Sequence, residues 1–203
     1  WSGRFRAARF SAAHRRVRRH NAQHVPGAPR TREPTMIDCR FCQLMAEYNA
    51  WMNGKVYAVC SNLPSAALFE DRGAFFKSIY LTLNHIAYSD IAFLSRLTGD
   101  PSEVPPISED LFGGFNELRA ERKRLDQRLS VWASTLTADW LGTSQTYVSK
   151  VDGRVRTVPR WVLVVHLFNH QTHHRGQVTT LLSQLGVDVG STDIPFIEKF
   201  SDA

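Results

Sequence analysis

The 203 residues suffice for one domain plus an appendage, and a hydrophobic content of 43% with five tryptophans is ample for a core. The net charge of +6 is concentrated: residues 1–35 hold nine arginines and one acid, Glu33 (net +8), while the rest holds 16 basic and 18 acidic residues (net −2). The basic pI therefore belongs to the first 35 residues and argues against nucleic-acid binding by the main domain; three cysteines exclude a disulfide framework, and no apolar run reaches the roughly 18 residues of a transmembrane span.

Residues 1–35 carry few apolar anchors, and Pro26, Pro29 and Pro34 interrupt their end, a composition that predicts disorder. A basic nucleic-acid-binding tail and an Arg-rich targeting peptide are two readings of this arm. The preferred one is upstream sequence read through ahead of a start at Met36, because the chain begins with Trp1 and both pattern and charge change at Met36. The domain proper is then 36–203. Its first helix is expected from about Ile37 to Cys60, where Phe41, Leu44, Met45, Tyr48, Met52 and Val56 recur at steps of three and four, and Asn62-Leu63-Pro64 ends it. Cys39 and Cys42 form a CxxC with neither a second CxxC nor a βαβ pattern beside it, so they read as packing residues suited to a reducing cytoplasm.

A loop through Asp71-Arg72-Gly73 leads to a second helix, about Ala74 to Leu97, with Phe75, Ile79, Leu83, Ile86 and Phe93 facing inward. Gly99, Pro101, Pro105 and Pro106 break the chain. A third, more highly charged helix over about Ser108 to Ser134 is expected to be exposed along one side. QTYVSKVDGRVRTV (145–158) alternates around an Asp152-Gly153 turn and predicts a β-hairpin. A fourth helix starts near Pro159 and is closed by Gly186; beyond Val187 no period is evident. The fold class predicted is all-α, a four-helix bundle with a small β-hairpin before the last long helix. No Gly-rich phosphate loop and no GxSxG elbow is present.

The fourth helix carries His166, His170, His173 and His174 in HLFNHQTHHRGQ. Residues four apart on a helix project side by side, so His170 and His174 can close on one divalent ion at about 2.0–2.1 Å. The flanking apolar runs point the pair inward, where unpartnered rings are penalised, and the second helix offers His85. His173, three residues from His170, is an alternative to His174, but the two lie about 100° apart around the helix and cannot easily share one ion with His170. His166 lies on the stripe of His170 and either orients a ligand or packs in the core. Gln177 and Asp90 are candidates to accept the second N–H of a liganding imidazole. Three imidazoles leave a tetrahedral ion one open position, as catalytic zinc requires, and nickel or iron suits the same ligands. No glutamate stands beside the histidines as in HExxH, which favours transfer chemistry over hydrolysis.

YNAWMN (48–53), DRGAFFKSIYLTLNHIAYSDIAFLSRL (71–97) and HLFNHQTHHRGQVTTLLSQLG (166–186) resemble the DinB, or damage-inducible, family of the DinB/YfiT-like superfamily, over Met36 to about Ile197. The arm has no counterpart there. The resemblance implies a four-helix bundle, often a homodimer, with one divalent metal held by His85, His170 and His174. It thereby favours His174 over His173. It also implies relatives that are transferases or isomerases using low-molecular-weight thiols such as bacillithiol or mycothiol. The expected function is a metal-dependent, thiol-linked transferase acting on small electrophiles in the cytoplasm, with no membrane or nucleic-acid partner. The alternatives are a non-catalytic, stress-associated metal-binding protein and a metal-dependent hydrolase.

Overall fold

The computed structural model describes residues 35–100, 104–105, 110–149 and 152–200. The expectation of a disordered arm over residues 1–35 lies, for all but Thr35, outside the described residues. In the described part, four long helices and two short ones accompany a two-stranded sheet: α1 (Cys39–Cys60), α2 (Ser65–Phe69), α3 (Ile79–Thr98), α4 (Phe115–Thr135), α5 (Ala138–Leu141), β1 (Ser144–Val148), β2 (Val155–Pro159) and α6 (Arg160–Gln184). The four long helices form the bundle. Among the described residues, no helix is long and apolar enough to cross a membrane.

Local chemistry sets the element ends. Asp38 Oδ1 accepts the Phe41 N–H at 2.8 Å and starts α1; Ser78 Oγ accepts the Leu81 N–H at 3.1 Å and starts α3. The second long helix thus begins five residues later than the periodicity predicts, because Lys77 sits at φ 65, which a right-handed helix cannot include. One consequence corrects the sequence reading: Phe75 does not face inward but is 85% exposed. The third long helix also starts late, at Phe115, after Gly113 (φ 66) and the cap residue Gly114. At the far end of α6, Gly186 (φ 73) lets Val187 N–H reach Leu182 O (3.0 Å) and Gly186 N–H reach Ser183 O (2.9 Å), a Schellman closure. The hairpin pairs antiparallel from Ser144 with Pro159 to Val148 with Val155, and Pro159, ending β2, leads directly into α6.

α1 packs on α4 and α3 on α6, while α3 also meets α4. Cys42 and Cys60 are fully buried in the core, and burial pushes each thiol up to about 12, so they remain protonated packing groups. Along α6 the inward face runs apolar (Leu163, Val164, Leu167, Phe168), polar (Gln171, Arg175), then apolar again (Val178, Leu181, Leu182). The polar stretch belongs to a buried network joining all four long helices. Arg122 of α4 donates to Asp90 of α3 and lies 3.0 Å from Asp126; Gln171 donates to the same Asp90 oxygen; Arg175 donates to Asn49 of α1 and to Gln171 (3.0 Å); and Asn53 donates to Asp126 (2.9 Å). The third long helix is therefore not simply charged outward. Arg122 is 2% exposed, on the stripe Leu118-Arg122-Leu125-Leu129 that faces the core.

Candidate metal centre

His85 stands on α3, and His170 and His174 stand one turn apart on α6. Packing of α3 against α6 brings the three rings together. His170 Nε2 lies 3.1 Å from His174 Nε2 and 3.3 Å from His85 Nε2, and the candidate ligand atoms of all three fall within 4.8 Å of one another. Two nitrogens bound to a tetrahedral ion at about 2.0–2.1 Å stand roughly 3.3–3.4 Å apart, so the two short separations match that spacing. Hydrogen bonding alone serves the cluster poorly, since a neutral His170 Nε2 has one proton or one lone pair to share between two ring nitrogens. A divalent cation takes a lone pair from each. Among the described residues, this is the group of three or more His, Cys, Asp or Glu side chains that could hold a metal ion, and no carboxylate belongs to it.

The surroundings fix ring orientation. Gln177 Oε1 lies 2.8 Å from His174 Nδ1, while its Nε2 lies 3.4 Å from His173 Nε2, which turns the amide oxygen toward His174. His174 Nδ1–H then donates to Gln177 and leaves Nε2 bare toward its neighbours. Ser89 Oγ lies 3.4 Å from His85 Nε2. Phe76 stacks on the His85 ring (3.9 Å, 21°) and meets His174 edge-on (5.4 Å). Phe93 meets His170 (5.2 Å) and His166 (5.0 Å) edge-on.

The other residues singled out from the sequence are placed as follows. His173 is exposed and touches Gln177 rather than joining the converging nitrogens. His166 is exposed against the edge of Phe93, 6.0 Å ring to ring from His170, so it does not pack in the core. Asp90 does not reach an imidazole: its carboxylate accepts from Arg122 and Gln171. His170 Nδ1 is buried without a hydrogen-bond partner. Sequence reasoning missed Phe76 and Gln171 as neighbours of the histidines. It pairs Asp90 with an imidazole rather than with Arg122, and Arg122 itself could have been flagged, because it interrupts the apolar core stripe of α4.

Burial, with His174 beside it, pushes His85 down to about 4, and burial with the surrounding histidines pushes His170 down to about 3. His174 is also lowered by burial, against the opposing Gln177 hydrogen bond. The triad is thus neutral at physiological pH, the form that binds metal. A pH dependence follows for the metal-free protein. The unfolded chain takes up protons on these rings from about pH 6.5 downward, whereas folded His85 and His170 stay neutral until about 4 and about 3, and His174 is shifted in the same direction. Below pH 6.5 the unfolded state binds more protons, so stability is fully present above that value and is lost as the pH falls. Thermal melts of chelator-treated protein should show the midpoint dropping more in wild type than in His170→Ala between about pH 7.5 and 5, a comparison that cancels the opposite contribution of Asp90, whose carboxyl burial pushes up to about 6. Equal drops in the two proteins would mean that folded His170 takes up protons as freely as the unfolded ring.

The DinB family profile matches residues 36–201. The chain belongs to the DinB family. It is 25% identical to Protein DinB of Bacillus subtilis (strain 168) over 173 residues, 75% of this chain and 91% of that protein. It is also 25% identical over 130 residues to the uncharacterized protein YrdA of the same organism, covering 59% of this chain and 71% of the other. Among solved structures, the fold is similar to that of YfiT from Bacillus subtilis, described as a probable metal-dependent hydrolase with an unusual four-helix bundle topology. That match has a TM-score of 0.55 and 16% identity, and covers 80% of this chain and 95% of YfiT. A DinB-like protein from Bacillus cereus ATCC 10987 matches with a TM-score of 0.50 and 20% identity, over 70% of this chain and 90% of that one. The chain is thus a DinB-family member with a histidine triad able to hold a divalent ion.

Proposed function

We propose that His85, His170 and His174 hold one divalent metal ion with an open coordination position, and that the protein is a metal-dependent, thiol-linked transferase acting on small electrophiles. The observation that carries this reading is the convergence of three neutral imidazoles with no carboxylate in the group. A bound divalent ion would lower the pKa of a thiol or a water and polarise an electrophile. Around it, Gln177 holds the His174 tautomer, Phe76 covers one face of the His85 ring, and the Asp90 ties to Arg122 and Gln171 set the register of α3 against α6. A hydrolase would be expected to keep a carboxylate free to act on water. The buried carboxylate on the helix of His85, Asp90, is already engaged. A low-molecular-weight thiol is the co-substrate this reading calls for.

The description of YfiT favours a second reading, metal-dependent hydrolysis. One experiment separates them. Protein purified without a His tag is assayed for metal by elemental analysis, then incubated in metal-loaded form with small electrophiles and with activated esters and amides, each with and without a small thiol. Thiol-dependent consumption of the electrophile, lost in His170→Ala, is the expected result. Thiol-independent cleavage of esters or amides moves the assignment to hydrolysis, and bound metal without turnover of any substrate class makes the protein a non-catalytic metal binder.

A further inference from the structure

The loop before α3 places aromatic rings at the triad in a way that metal binding alone does not require. Phe76 lies flat on His85, and Phe75 packs edge-on against Phe76 (4.8 Å, 79°) while remaining 85% exposed. The segment carrying them is held from both ends: Gly73 N–H donates to Asp71 Oδ1 (2.9 Å), Arg72 N–H to Lys77 O (2.9 Å) and Lys77 N–H to Ala74 O (2.8 Å). Lys77, at φ 65 between Phe76 and the cap residue Ser78, adopts a backbone that a residue with a side chain rarely takes. A strained position of this kind persists where the surrounding structure fixes it and is a reason to look for function. Here the fixed geometry keeps one phenyl ring on a proposed ligand and holds the next one out in water beside it. Phe93 also meets His170 in a T-shaped contact (5.2 Å, 88°), so a second aromatic ring borders the histidines.

Resting on the metal reading above, we propose that Phe75 and Phe76 form the substrate-facing wall of this site, and that the substrate carries a flat apolar group, aromatic in the favoured case, beside the atom that meets the metal. Phe76 sets the wall against His85. Phe75 supplies the exposed ring that a bound substrate would cover, since a flat ring can stack on it or meet it edge-on.

The test uses full-length protein loaded with Co²⁺, whose ligand-field bands report thiol binding without turnover. Benzyl mercaptan and 2-mercaptoethanol, two simple thiols that differ in their apolar part, are titrated against wild type, Phe75→Ala and Phe75→Tyr. Wild type should bind benzyl mercaptan more tightly. Phe75→Ala should weaken benzyl mercaptan about three- to tenfold, the range of one aromatic contact, and leave 2-mercaptoethanol unchanged. Phe75→Tyr should restore the preference, because it keeps the ring. If Phe75→Ala binds Co²⁺ normally but shifts both thiols equally, or neither, the aromatic-wall proposal is wrong while the metal assignment stands. If Phe75→Ala instead dissociates a dimer and leaves thiol binding untouched, the ring serves a second copy and the proposal is equally overturned. Failure of wild type to take up Co²⁺ would remove the metal reading itself, and this proposal with it.

Discussion

Replacing His170 by alanine is expected to weaken metal retention by more than about 100-fold, beyond the 10–100-fold typical of losing a group that only supports a ligand. His170 Nε2 is the central atom of the cluster, 3.1 Å from His174 Nε2 and 3.3 Å from His85 Nε2, so its removal leaves two nitrogens on different helices. His174→Ala should have a comparable effect. His173→Ala should keep most of the metal, since its ring faces Gln177, and Gln177→Ala should fall between, because it frees the His174 ring without removing a ligand. Competition against a chromogenic chelator, with a thermal melt of each variant as the folding control, gives the ranking. If His173→Ala abolishes binding and His174→Ala does not, the adjacent pair has been assigned the wrong way round. If no histidine substitution changes metal content, the triad is not the site.

Replacing Arg122 by alanine is expected to cost about 3–5 kcal/mol, the usual consequence of stranding a buried charge by removing its partner. Arg122 and Asp90 are 2% and 0% exposed, and Asp126 also depends on Arg122. Burial tends to pull the Arg122 guanidinium down, but Asp90 and Asp126 together override it and hold its proton more firmly than water does. Burial pushes the Asp90 carboxyl up to about 6, against the opposing pull of Arg122. Set against the roughly 5–15 kcal/mol of a typical domain, a loss of this size brings the variant near unfolding at room temperature. Urea denaturation measures it. The double variant Arg122→Met, Asp90→Asn should recover much of the loss, because asparagine still accepts from Gln171 and leaves no bare charge at position 90. A single-variant cost below about 1 kcal/mol would mean that water or another group reaches Asp90 and that the network is not what ties the helices.

The network matters to the site because it links the two helices that carry the histidines. Asp90 lies one turn and a half along α3 from His85, and Gln171 directly follows His170 on α6. A lock between those residues fixes how far α3 slides along α6, and so whether His85 reaches the other two rings. Variants of Arg122 that still fold should accordingly bind metal more weakly than wild type.

Much of this was legible in the residues. The apolar stripes of α1, α3, α4 and α6, the Asp152-Gly153 hairpin and the closure at Gly186 follow from backbone geometry that each short segment carries within itself. The pairing of His170 with His174 belongs to the same class, because four residues along any helix return to the same face. Other features depended on partners distant in the chain. His85 meets His170 across 85 positions only because α3 packs against α6. Asp90 could be taken for a hydrogen-bond acceptor of a liganding ring until Arg122, from a third helix, was seen to claim it. Phe75 fits the inward periodicity of α3, yet the positive φ of Lys77 and the Ser78 cap end that helix below it and turn the ring outward. Periodicity reports which face of a segment is apolar. Where a helix stops, and which buried charges find each other, is decided by caps and by polar groups that must be satisfied across helices, and those partners exist only once the bundle has closed.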